Sequence, residues 1–360
     1  MPQSPVRYSP SVEMREVDEF ETNRKLVETL RSISEITYED SGHALRSVHA
    51  KGHGLLNAEL EIVEGLPQVL AQGLFARAGR YPAVMRFSTI PGDILADSVS
   101  VPRGLAIKVM NVAGDRLEGS ENDTTQDFLL VNGPAFAAPT AKAFLGNLAL
   151  LAKTTDKAEG LKKVLSATLR GLETVMVAAG HESGTLKALG GHPETNILGE
   201  TFYSQAPIRY GDYLAKVAVA PVSQELTALT QAALNVNGKP NGLRDAVKEF
   251  FGRQSGVWEL RAQLCTDLET MPIEDSSIPW PEDQSPYVTV GRITAQQQDA
   301  WSDANVKSID DAMSFSPWHG IRAHQPLGSI MRVRKASYEM SAGFRGERNG
   351  CPMVDPRGPK

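Results

Sequence analysis

The amino-acid sequence predicts an α+β fold: about seven or eight antiparallel strands, enough to close an eight-stranded β-barrel, with inserted and C-terminal helices. Three observations predict it. Four β-rich segments follow one another with short turns and no helix between them, which argues for meander pairing and against alternating βαβ units. A long stretch of helical periodicity then intervenes, and three further strand-like runs come after it.

Taken in order, residues 1–42 are polar, proline-containing and then acidic, and read as an N-terminal arm. Residues 43–360 read as a single domain, because no shift of composition marks a boundary and no internal repeat is found. The first strand group is LRSVHAKGHGLLNAELEIV, PAVMRFSTI, RGLAIKVMNV and DFLLVNGP, each bounded by Gly or Pro. Residues 138–190 form the helical block, with apolar side chains at helical spacing and Thr or Asp at its starts. The second strand group is YLAKVAVAPV, VWELRAQLCTD and YVTVGRITA, interrupted by the helical PNGLRDAVKEFFGRQ. The remainder reads as helix and loop.

Composition narrows the function. The chain has 360 residues, 41% of them hydrophobic, which suffices for a core without staples. Its two cysteines, Cys265 and Cys351, stand far apart in no metal-ligand spacing, so neither a disulfide framework nor a zinc site is expected. No apolar run suits a signal peptide or a membrane span, and a cytoplasmic location is expected. Net charge is −6, from 37 basic and 43 acidic residues spread evenly, which favours a small-molecule partner over nucleic acid.

The stretch ALRSVHAKGHG, residues 44–54, holds His49 and His53 with His43 just before it, three of only seven histidines. A strand histidine taken alone is most often structural. A zinc site needs further ligands that the sequence does not offer, and KGHG is a turn-prone break in the strand. Near the other end, PLGSIMRVRKASYEMSAGFRGERNG puts Arg334 four residues before Tyr338 among good helix formers, so guanidinium and phenol share one helix face. A phenol titrates near about pH 10, and a cation held against it favours the anion. R-x-x-x-Y alone is equally a surface pair.

Taken together the motifs are more specific. R-S-V-H-A-K-G, M-R-F-S-T, P-R-G-L-A-I-K-V, D-F-L-L-V-N-G-P-A-F and R-K-A-S-Y occur in the order found in the haem catalase family, which the chain resembles from about residue 43 to 345. The resemblance implies haem b (iron protoporphyrin IX) as cofactor, with Tyr338 as its proximal iron ligand and Arg334 sustaining the phenolate. It implies His49, beside Val48, as the distal acid–base residue, with Ser88 holding the ring nitrogen that faces away from iron. Arg46, Arg86 and Arg345 match the arginines that pair with haem propionates, a charge-assisted role that suits guanidinium. Phe136 falls where an aromatic lines the haem pocket. His43 and His53 are expected to be turn and surface residues near the pocket mouth.

Two departures from the family pattern stand out. Family members carry a distal asparagine; ungapped alignment puts Thr124 there, and Asn122 reaches the position only through a local shift. A hydroxyl has one donor where an amide has two, so efficient dismutation is less expected. The chain is also shorter than full-length members and resembles the compact branch without a C-terminal accessory domain, whose pocket is more open. The expected activity is consumption of hydrogen peroxide and organic hydroperoxides, with a small organic electron donor, in a dimer or tetramer. The alternatives are a lipid-hydroperoxide isomerase of the allene oxide synthase kind and a non-catalytic haem binder. That isomerase has threonine beside its distal histidine where this chain has Val48, which favours the reductive chemistry.

Overall fold

A computed structural model describes residues 4–152, 192–351 and 353. Nine strands form one antiparallel sheet: β1 (Gly52–Ile62), β2 (Gly79–Thr89), β3 (Arg103–Val109), β4 (Gln126–Val131), β5 (Phe202–Tyr203), β6 (Ile208–Tyr210), β7 (Tyr213–Pro221), β8 (Gly256–Leu264) and β9 (Val288–Ala295). The sheet closes on itself. On one side β1 pairs with β9 from Glu59↔Thr294 to Ile62↔Gly291. On the other, β5 pairs with β4 at Val131↔Tyr203 and with β7 at Phe202↔Val219 and Tyr203↔Ala218. Eight strands therefore make the barrel, and β6 extends it as a short flap on β7.

The alternation of side chains along β2 to β4 sorts them between the two faces of the wall. Ala83, Met85 and Phe87 of β2, Leu105 and Ile107 of β3, and Phe128 and Leu130 of β4 enter the main core. There Phe87 meets Phe202 and Trp258 at ring-centroid distances of 5.8 and 6.1 Å, and the barrel is filled by side chains. The intervening residues face outward, yet Val84 packs under Ile309, Met313 and Phe315. Both faces of this part of the wall are thus covered, which is why residues 83–89 are all buried.

Four helices of eight residues or more are described: α1 (Glu19–Ser41), α2 (Ala141–Ala152), α3 (Gly242–Phe251) and α4 (Ser329–Arg348). In α1 the buried Leu26, Leu30 and Ile33 recur at helical spacing. The helix ends at Gly42, φ 69°, whose N–H donates to Tyr38 O, a left-handed cap that glycine adopts at no steric cost. These apolar residues pack with Ala141 and Leu148 of α2 and with Ile330 and Val333 of α4 into a second core outside the barrel. In α3, Leu243, Val247, Phe250 and Phe251 join the barrel core.

The seven long strands overlap the segments read as strands, but the first begins only at Gly52, so residues 45–51, His49 among them, precede the strand they were expected to open. The two short ones, β5 and β6, were not expected. The helical block expected over residues 138–190 is described as α2, and residues 153–191 lie outside the described residues.

Candidate active site

The outer face of β2, β3 and β4 presents three rows of side chains in register. Ser88, Gly104 and Val131 stand side by side, then Arg86, Ala106 and Leu129, then Val84, Lys108 and Asp127. Rows lie about 7 Å apart along the strands, two residues at ~3.4 Å each. Gly104 and Ala106 keep the middle of this surface low. Between it and the helices is a cavity of about 290 Å³. Its helical wall is one face of α4, where Arg334, Tyr338, Ser341 and Arg345 recur at three- and four-residue spacing. Leu30 of α1 and residues 314–316, 318 and 319 complete the wall.

His49 comes from the segment before β1. Its backbone is left-handed, φ 56°, a region in which histidine is among the less disfavoured non-glycine residues. Its N–H donates to Ile90 O at 2.7 Å, and its ring lies against β3, where a Cβ added at Gly104 would come within 2.5 Å of Nδ1 and Cε1. Nδ1 is 3.0 Å from Ser88 Oγ, whose own hydroxyl is directed to Gly104 O at 3.5 Å. With its proton so directed, Ser88 accepts from Nδ1–H, and the basic lone pair of His49 lies on Nε2. Burial, reinforced by the charges of Arg86, Arg334 and Arg46, pulls the imidazole pKa down to about 3, so the ring is neutral at physiological pH. Gly104→Ala is expected to displace this ring and destabilise the fold by about 1–3 kcal/mol, as overpacking does, measured by urea unfolding.

The three arginines expected to serve one anionic edge do converge. Arg46 Nη1 and Arg86 Nε both reach Asp310 Oδ1, at 2.7 and 2.8 Å, and Arg345 Nη1 donates to the backbone carbonyls of Asp310 and Asp311. Asp310 sits in a π-helical turn, Val306–Asp311, a rare geometry common at functional sites. Burial pushes the Asp310 carboxyl up, but Arg86, Arg46 and Arg345 together bring it down to about 2. Burial and mutual repulsion press the other way on the arginines: Arg46 is held well below its usual range and Arg345 falls to about 10. Three guanidiniums face the carboxylate of Asp310 and, at Arg345, that of Asp311, so the cluster carries net positive charge. Arg345 Nε is buried with no hydrogen-bond partner.

Tyr338 lines the same cavity as His49, and its hydroxyl makes no hydrogen bond to any described residue. Arg334 lies on the same helix face but is not held against the phenol. Its guanidinium sits 5.5 Å from the Phe136 ring centroid, with Nη1 3.5 Å from Met331 Sδ. Phe136 in turn packs on Phe144 and lies a layer behind the cavity wall. Val48 lines the cavity beside His49.

Three expectations need correction. Thr124 and Asn122 are exposed and do not line the cavity. Strand β4 begins at Gln126 and reaches the His49 row only at Val131, so Thr124 lies beyond the far end of the ladder, its carbonyl accepting from Val112 N–H. The amide nearest that row, Asn132, is turned aside to Arg103 N, His192 Nε2 and Glu200. Gln205 is the amide that does line the cavity; it is left-handed, φ 61°, and its Nε2 donates to Gly133 O and Ala135 O. His53 is not a surface residue: it is fully buried in β1 with Nε2 3.2 Å from Thr89 Oγ1. His43 is half-exposed and pairs with Asp311 at 3.0 Å, so the three clustered histidines face three different neighbours.

No protein-family model matches the sequence, and no curated protein matches it. Solved structures do. A fungal catalase superposes with a TM-score of 0.59 at 19% identity, covering 88% of this chain and 61% of its own. Catalase A from Saccharomyces cerevisiae gives 0.58 at 18% identity, covering 88% of this chain and 63% of its own. The fold is that of a catalase. A bacterial catalase agrees, with a TM-score of 0.58 at 14% identity over 96% of this chain and 63% of its own. The chain thus spans less than two thirds of the length of the catalases it matches. Within this catalase fold, the cavity lies on the outer wall of the barrel, under α4. Among the described residues no helix is long and apolar enough to cross a membrane.

Proposed function

We propose that the chain is a haem-dependent enzyme that consumes hydrogen peroxide and organic hydroperoxides. The observation that carries this reading is that His49 and Tyr338 line one cavity, beside an arginine cluster of net positive charge.

The residues present fit haem b. Tyr338, whose hydroxyl makes no hydrogen bond to any described residue, is the ligand for iron; tyrosinate is a known haem ligand. Arg46, Arg86 and Arg345 are the partners for the two propionates, whose negative charge offsets the net positive charge of the cluster. When bound, haem supplies the two-electron redox chemistry that no side chain here offers.

The chain's own residues manage protons and access. His49 Nε2 accepts the proton of one peroxide oxygen and returns it to the other, and Ser88 keeps the ring in the tautomer that allows both transfers. The apolar wall of Val48, Leu129 and Val131 limits water around the imidazole. An organic donor and self-association into a dimer or tetramer belong to the same reading, as does action in the cytoplasm.

His49 makes the pH dependence specific. Its pKa falls from 6.5 to about 3, so peroxide consumption by the haem-loaded protein is expected to be flat between about pH 5 and 8; an acid limb centred at 6.5 would contradict it. The unfolded chain binds that proton below 6.5 and the folded one does not, so this residue's contribution to stability falls as pH drops from 6.5 towards 3.

The deciding experiment is haemin titration of the full chain. A one-to-one Soret band with the high-spin spectrum of tyrosinate-ligated ferric haem, followed by oxygen release or donor oxidation on adding peroxide, is the expected result. A chain that takes up no haemin overturns the reading.

A further inference from the structure

The cavity floor continues past the arginines to a second histidine. On the third row of the outer wall Lys108 and Asp127 form a fully buried ion pair, with Nζ 2.8 and 2.9 Å from the two carboxylate oxygens. His319 turns Nδ1 towards it, 3.4 Å from Asp127 Oδ2 and 3.5 Å from Lys108 Nζ. Ser316 N–H donates to that same Oδ2 at 2.9 Å and its carbonyl accepts from His319 N–H, so the backbone next to the imidazole is fixed as well. A buried ion pair adds little net stability, because desolvation offsets the attraction. What this one does is orient a ring. Lys108 Nζ directs its three hydrogens to the two Asp127 oxygens and Thr125 Oγ1, so the ring proton of His319 is placed on Nδ1, towards the carboxylate, and Nε2 is the acceptor beside the cavity that His319 lines.

Next to it Trp318 is also held. Its indole N–H donates to Met331 O at 2.8 Å, which fixes the ring on the cavity wall, and Phe315 lines the same end. The rim carries Glu118 and Glu339, with Lys335 Nζ 3.6 Å from Glu118 Oε2 and 5.8 Å from the Trp318 ring centroid. The two rim glutamates disfavour an anionic group at this end, while Lys108 neutralises Asp127 behind the histidine.

We propose that this end of the cavity is a binding subsite for a neutral hydroxylated aromatic molecule, a phenol, whose O–H donates to His319 Nε2 and whose ring packs against Trp318. Its role rests on the haem reading of the cavity: there the phenol is the class of organic electron donor. The site itself is a matter of ring stacking and one hydrogen bond, and binding measures it directly.

Calorimetry and saturation-transfer NMR of the full chain, with and without haemin, test it using phenol, anisole and 4-hydroxybenzoate as probes. Phenol is expected to bind at least about fivefold more tightly than anisole, which lacks the donor, and, with haemin bound so that the arginine cluster is occupied, than the benzoate, which the rim glutamates repel. His319→Phe is expected to abolish the preference for phenol over anisole, while His319→Gln, which keeps an acceptor, retains it; Trp318→Leu weakens both ligands. Equal binding of phenol and anisole to the unaltered chain overturns the proposal, as does a preference that survives His319→Phe. Haemin uptake without phenol binding removes the subsite and leaves the proposed function. Phenol binding without haemin uptake does the reverse.

Discussion

Exchanging His49 for asparagine is expected to lower peroxide turnover by about 10²–10⁴-fold, the range that a positioned acid–base group contributes, while haemin uptake is retained. Asparagine is the informative replacement because His49 has φ 56°, and asparagine tolerates left-handed backbone better than other non-glycine residues. The variant therefore removes the basic nitrogen without adding backbone strain. Its amide can still donate to Ser88, but it has no lone pair basic enough to take a peroxide proton. Oxygen release under saturating peroxide reads the loss, and the Soret absorbance reads the cofactor. Turnover within a factor of a few of the unaltered protein would mean that proton transfer is managed elsewhere in the cavity.

Asp310→Asn is expected to be the most damaging single change for stability. It leaves Arg46, Arg86 and Arg345 without their shared anion, and removing one partner of a buried charge cluster costs about 3–5 kcal/mol. The loss is expected to be largest in the haem-free protein and smaller with haemin bound, because the propionates then supply the missing negative charge. Urea unfolding of both forms measures it; urea is preferable to guanidinium, whose ions screen the cluster. The Asp310 carboxyl, ordinarily near 3.8, is held at about 2, so its contribution is fully present above 3.8 and is lost as pH falls through 2. Equal stability of variant and parent, with or without haemin, would mean that this carboxylate does not organise the cradle.

The barrel was legible because its strands are long. In β2 and β3 the alternation of core and outer residues is a local property that survives in the letters. The cavity face of α4 was legible for the same reason: Arg334 and Tyr338 are four residues apart on a helix. What escaped is what only closure creates. Two-residue β5 has no periodicity to read, and its partner on one side, Val131, belongs to a strand remote in sequence. Asp310 shows no signal either, since its partners lie at positions 46, 86 and 345. The misplacement of Thr124 has a geometric origin. Counting along an ungapped alignment took no account of where β4 starts, and the residue fell at the wrong end of the ladder. His319 went unread because its meaning comes from a pair on the neighbouring strands.

Closure through β5 has a dynamic consequence. Every other junction in the barrel is a ladder of four or more residue pairs, whereas β5 joins β4 by one pair and β7 by two. Local opening favours the junction with fewest bonds, so thermal breathing is concentrated at this seam. Val131, Ser204 and Gln205, which border it, also line the cavity, so a gap there admits solvent to the same space that the imidazole and phenol share. The rate at which small molecules pass in and out is thereby expected to follow the strength of these three pairings and of the Gln205 bonds to Gly133 O and Ala135 O that span the same seam.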